Sequence, residues 1–154
     1  VYKRQDLHST LFFLGAVLTG DLAGDERKLM TQAAPWTSVM FHNMLDDQSP
    51  IPLGLPPVVE ETLAAYRQLH AAYQPEDARY LTNHRGHLMF LREEEKALIS
   101  PELVRATTLS GTAEELAEQF GQLAEAGYHQ FALQLVQGQE EEQLNNWAEV
   151  FSRL

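Results

Sequence analysis

The segment Arg105–Gln137, RATTLSGTAEELAEQFGQLAEAGYHQFALQLVQ, limits the folds open to this chain more than any other. Thr107–Leu109 is β-branched or apolar and reads as a strand that Ser110-Gly111 ends. Thr112 and Glu115 have the spacing of a capping box, in which the threonine oxygen accepts from the N–H three residues on and the glutamate returns to the N–H of the cap. Leu116, Phe120, Leu123 and Ala124 then recur at helical spacing over Ala113–Ala126, and Gly127 supplies the left-handed residue that closes a helix. Phe131–Val136 follows as a short apolar strand. A strand, a helix and a strand in this order form a βαβ unit, and a βαβ unit implies parallel sheet.

The other elements fit an α/β chain rich in helix. Leu11–Leu18 is apolar on both faces, as in a strand covered on both sides. Asp25–Leu45 has helical period, and Pro35 in its middle predicts a kink or two separate helices. Met30, Met40, Met44 and Trp36 are expected in its core face. Asp46–Pro57 reads as a loop. Pro57–Tyr73 reads as a helix with Val59, Leu63, Tyr66, His70 and Tyr73 on one side, followed by a short turn from Pro75 through Tyr80. Ser100-Pro101-Glu102 is a helix start, and Leu144, Trp147, Ala148 and Phe151 predict the inner face of a closing helix over Glu140–Leu154. Arg92–Leu98 is read as charged and solvated.

Length and charge narrow the function classes. At 154 residues and 44% hydrophobic content, the chain suffices for one domain with a real core. The formal net charge of -11 argues against nucleic acid or an anionic membrane as partner. The absence of cysteine excludes disulfides, thiolate metal sites and cysteine nucleophiles. Leu11–Leu18, the longest apolar run, is far short of the roughly 18 residues of a membrane span, so a cytoplasmic location is expected. Val1–Gln5, VYKRQ, lacks an initiator methionine and reads as a non-native leader, which leaves 6–154 as one domain unit.

Candidate site residues follow from the rule that chemistry in parallel α/β folds sits at the carboxyl ends of the strands. Gln134 is the polar residue on the inner face of the last strand, where it either contacts a ligand or is a buried amide satisfied by backbone. Gln137 and Gly138, at the end of that strand, suit a ligand or a plain turn. In the loop Asn83–His87, Arg85 can hold a carboxylate or phosphate or lie free on the surface. His84 and His87 are three apart but lack the helical H-E-x-x-H context and an acidic third ligand nearby, so no metal is expected there. Gly111-Thr112 could cradle a phosphate at a helix start, although Glu114 and Glu115 favour plain capping. His42-Asn43 reads as a capping pair or as site residues, with capping favoured. The runs Glu93–Glu95 and Glu140–Glu142 read as solvated helix starts. No catalytic acid or base can be named from these patterns.

At HRGHLMFLREEE (His84–Glu95), RATTLSGTAEEL (Arg105–Leu116) and EAGYHQFALQLV (Glu125–Val136) the chain resembles the carboxyl-terminal part of the bacterial-luciferase-like oxidoreductases, and within them the methylenetetrahydromethanopterin reductase-like subgroup. FHNMLDD (Phe41–Asp47) and YQPEDARYL (Tyr73–Leu81) belong to the same likeness. The resemblance implies a (β/α)8 TIM barrel of about 250 residues, of which this chain would be the last part, with helical insertions and about three parallel strands. It further implies FMN or coenzyme F420 at the barrel mouth, a small organic substrate, hydride or electron transfer or monooxygenase chemistry, and homo-oligomers in the full-length protein. On this reading His84, Arg85, Gly86 and His87 line the mouth for cofactor or substrate, and Phe12, Phe13 and Val136 face the barrel interior, where an incomplete barrel would expose them. The competing reading is a standalone acidic α/β interaction module without catalysis.

Overall fold

The computed structural model of the protein describes residues 8–46 and 55–154. The expected leader Val1–Gln5 and most of the expected loop Asp46–Pro57 lie outside the described residues. The described chain is a helix-rich α/β arrangement with four short strands, all paired in parallel. Strand β1 (Thr10–Phe13) pairs with β4 (Gln130–Leu133), and β2 (Val17–Leu18) pairs with β3 (Gly111–Thr112). Leu11–Leu18 is thus one extended segment that changes partner at Leu14-Gly15-Ala16.

The change of partner has a steric cause. A Cβ on Gly15 would stand 1.8 Å from the carbonyl oxygen of Leu109 and 3.2 Å from the Trp147 ring. Only glycine lets the Leu109 backbone come this close. The N–H of Ala16, left without a strand partner, donates to the Ser110 hydroxyl at 3.0 Å. Gly15→Ala is expected to lower stability by about 1–3 kcal/mol, the range for overpacking a filled interior, as read in a denaturant melt. A neutral result would show that Leu109 does not sit against this strand.

Thr107–Leu109, expected as a strand, is not one. Helix α6 (Pro101–Thr107) runs into it, started by Ser100, whose side-chain oxygen accepts from the N–H of Leu103. The hydroxyls of Thr107 and Thr108 donate back to the carbonyls of Leu103 and Val104 at 2.9 and 2.8 Å. These local bonds satisfy the end of the helix and win over the β preference of the threonines. The strand directly before α7 (Ala113–Glu125) is instead Gly111–Thr112, and the strands on either side of α7 do not pair with each other: β3 pairs with β2 and β4 with β1, in two separate two-stranded sheets. The capping box forms as expected. The Thr112 oxygen accepts from Glu115 N, and Glu115 Oε2 accepts from Thr112 N at 2.8 Å. Gly127 has φ of +103°, as a helix-closing glycine requires.

Pro35 divides its segment as anticipated. Helix α1 (Leu22–Lys28) passes through a π-helical turn (Leu29–Ala33) into α2 (Ala34–Leu45). Proline has no N–H and would crowd the carbonyl four residues back, and the wider turn, in which Ala34 N–H reaches Leu29 O, relieves both. Helix α3 (Pro57–Ala71) buries Val59, Leu63 and Tyr66, with Tyr73 just beyond it, on the expected side. A 3-10 turn (Glu76–Ala78) and the short helices α4 (Arg79–Asn83) and α5 (Glu93–Lys96) follow.

Two apolar clusters meet at the central extended segment. Ala16 and Leu18 join the first with Leu29, Phe41, Leu63 and Val104, while Phe13 and Val17 join the second with Leu116, Phe120, Trp147 and Val150. The segment is covered on both faces, which is why it reads as continuous apolar sequence. Of the methionine and tryptophan set, Met44 is buried and Met30, Met40 and Trp36 are partly so. Of the residues expected at an exposed barrel interior, Phe12 is exposed, but Phe13 and Val136 are buried, Phe13 against Phe120 and Trp147. The last helix, α8 (Glu140–Phe151), is also turned from expectation. Its buried stripe is Gln143, Trp147 and Val150, and Leu144 is exposed. The polar Gln143 is held inside because its amide oxygen accepts from Val136 N at 2.8 Å.

Candidate functional site

Three segments far apart in sequence bring a set of ionisable side chains together under the HRGH loop. His42 from α2, Tyr66 from α3, and Arg92 and Glu95 at the start of α5 are all buried. Glu95 is the acceptor at the centre. Its Oε1 receives His42 Nε2 at 2.5 Å, Arg92 Nη2 at 2.8 Å and the Tyr66 hydroxyl at 3.3 Å, and its Oε2 receives the backbone N–H of Arg92 at 3.0 Å. Arg92 also donates to the carbonyl of Thr82 through Nη1 and stands over the Tyr73 ring, 5.1 Å from its centre.

The solvated reading of Arg92–Leu98 is therefore corrected for Arg92 and Glu95. Glu93, at the exposed end of the same run, does lie in water, paired with Lys96. Glu95 differs because it occupies the third position of α5, from which it folds back to the N–H of Arg92 and into the space among α2, α3 and α4. The capping reading of His42-Asn43 is likewise corrected for His42, whose ring points into this cluster. The electrostatics follow. Burial works to raise the Glu95 carboxyl, but the bonds from His42 and Arg92 prevail and hold it down at about 2. Burial first, then the Glu95 charge, push the Tyr66 phenol well up. Since a carboxylate only accepts, His42 Nε2 carries its proton towards Glu95.

A second carboxylate lies beside the first. Asp46 Oδ2 accepts from His84 Nε2 at 2.5 Å and from Asn83 Nδ2 at 3.1 Å, and His70 Nε2 stands 3.4 Å from its Oδ1. His84 follows α4 directly, and its Nδ1 is 3.2 Å from Nδ1 of His87. Burial, then the neighbouring His84 and His42 rings, hold His87 below the usual histidine range. The expected loop pair thus gains a third histidine, His42, and an acidic neighbour from a distance that sequence spacing does not show. Arg85 is 65% exposed, and its Nη2 stands 3.8 Å from Glu94 Oε1, an oxygen that also lies 3.7 Å from Arg92 Nη1.

Gly86 links this cluster to a cleft. It has φ of +81°, and a Cβ there would meet the Phe90 ring at 2.7 Å, so the turn needs glycine on both counts. Phe90, seated on Gly86, lines a cleft of about 430 Å³ with Met30, Pro35, Met89, Val136 and Gln137. This cleft opens beyond the carboxyl end of β4. Of the expected residues, Gln137 is on its wall. Gly138 lines a separate hollow with Arg27 and Glu140–Glu142. Gln134 is half-buried just past β4, with its N–H on the carbonyl of Phe13, and joins neither. The hydrophobic stretch Leu88–Leu91 and the R-x-x-E spacing of Arg92–Glu95 were the available sequence signals for the cleft wall and the buried glutamate.

Comparison of the chain with protein-family models, curated proteins and solved structures finds no match. Among the described residues no helix is long and apolar enough to cross a membrane.

Proposed function

We propose that this chain is the carboxyl-terminal part of a luciferase-like (β/α)8 oxidoreductase that passes hydride or electrons between reduced FMN or F420 and a small organic substrate. The observation that carries the reading is the cleft beyond the carboxyl end of β4, where parallel α/β folds place ligands. Its volume falls within the roughly 300–1,000 Å³ typical of small-molecule sites. The wall suits a flavin-type ring. Met89, Phe90 and Val136 offer an apolar surface to its face, and the Gln137 amide and Lys96 ammonium at the rim suit its polar edge. The cofactor supplies the redox chemistry, and the chain's own residues bind, orient and shield it. Under this reading the barrel's other strands supply the remaining ring and phosphate contacts. The His42–Glu95–Arg92 cluster fixes the start of α5, and through Leu91 and Phe90 it fixes the cleft wall.

The test is to express the whole reading frame that contains this chain and to titrate it with FMN and with F420. One of the two is expected to bind at one equivalent with micromolar or tighter affinity, and Phe90→Glu to weaken it by roughly tenfold or more, about 1.4 kcal/mol. The 154-residue chain alone is expected to bind neither at that affinity. A frame that opens just before Leu7, with no binding of either cofactor, would favour the acidic interaction module instead.

A further inference from the structure

We propose that His42, His84 and His87 form a binding site for a divalent transition-metal ion of the zinc class. Each of the three rings has a nitrogen within 4.8 Å of one on each of the others. The ligand type excludes magnesium and calcium, which take oxygen, and suits zinc, nickel, copper or iron. The proposal goes beyond the oxidoreductase reading and does not rest on it, since none of the three histidines lines the cleft beside β4.

Three further observations converge on these rings. Nε2 of His42 is engaged by Glu95 and Nε2 of His84 by Asp46, which leaves Nδ1 of each as the nitrogen with a lone pair to offer. A carboxylate on the far nitrogen of a ligating histidine is the usual outer support of a metal site, because it fixes the tautomer and makes the ring more basic. Nδ1 of His42 is buried and has no hydrogen-bond partner, an arrangement that costs free energy unless something accepts the lone pair. Lastly, Nδ1 of His84 and Nδ1 of His87 stand 3.2 Å apart. Two nitrogens bound tetrahedrally at about 2.0–2.1 Å from one ion are separated by roughly 3.3–3.4 Å, so these two are already near bonding positions. The charges also suit a cation: Glu95 offsets Arg92, whose Nη2 stands 3.4 Å from His42 Nε2, and Asp46 adds a second negative charge. Three protein ligands leave a fourth position for water or a small anion.

The experiment uses the chain freed of any affinity tag and of metal by chelation, then titrated with Zn²⁺ against a chromophoric chelator and with Co²⁺ by visible absorption. One equivalent is expected, with the absorption bands of a four-coordinate cobalt ion. His84→Ala and His87→Ala should each weaken binding by roughly 100-fold or more, and Asp46→Asn by about 10- to 100-fold through its hold on His84. The stacked pair His8 and His129, which lies outside the cluster, is the control, and its removal should change nothing. His87 is exposed, so His87→Gln keeps the test decisive should another variant fail to fold. Binding of less than one equivalent, binding undiminished in His87→Gln, or only weak six-coordinate cobalt would each overturn the proposal.

Discussion

Glu95→Ala is expected to destabilise the protein by about 3–5 kcal/mol, the range seen when one member of a buried ion pair is removed and its partners stay behind. Arg92, His42 and Tyr66 would all lose their shared acceptor inside the fold. Glu93→Ala, two residues earlier on the exposed side, should change stability by no more than about 0.5 kcal/mol. Denaturant melts of the two variants decide the matter, and equal effects would sink the placement of Glu95. The pH dependence has a definite sign. The folded-state pKa of Glu95 is depressed to about 2 from an ordinary 4.5, so its contribution is complete above the higher value and is lost as the pH falls towards the lower. Glu95→Ala should therefore flatten the acid limb of the stability curve.

Phe120→Ala is the second large effect, again about 3–5 kcal/mol, because a buried aromatic is deleted from a filled core. Its ring meets Phe13, Phe131, Trp147 and Phe151, with centroids 4.6–5.8 Å apart. These neighbours come from β1, β4 and α8, so one truncation loosens three elements. Thr112→Ala on the same helix should cost only about 1 kcal/mol, the worth of one cap. Similar losses for both variants in a denaturant melt would contradict the position of Phe120 at the centre of the second apolar cluster.

The fold was legible where a local rule settles it. The capping box at Thr112, the stripe of α3 and the division at Pro35 each depend on residues within a few positions of one another. Thr107–Leu109 was misread because threonine serves two local ends: it favours strands, and its hydroxyl also closes helices by bonding back to carbonyls. In α8 the inner face was misassigned because a glutamine took the place that an apolar residue usually has, satisfied by a backbone N–H seven residues earlier. The candidate site was the least legible part. His84 and His87 announce themselves by spacing, but His42, Asp46 and Glu95 reach them only through the packing of α2, α4 and α5. Within Glu93–Glu95 composition does not separate the buried carboxylate from the two beside it; only its place three residues after Arg92 does.

The π-helical turn at Leu29–Ala33 bears on how the chain can change length. Such a turn holds about one residue more than an α-helical turn while the helices on either side keep their facing. Removing one residue between Leu29 and Ala33 should close the turn into ordinary helix and leave Phe41 and His42 directed as they are. Removing one residue within α2 itself would swing both by about 100°, the angle of a single helical step. Relatives of different length are thus expected to carry their gap at this turn, where the fold can absorb it without disturbing the histidines downstream.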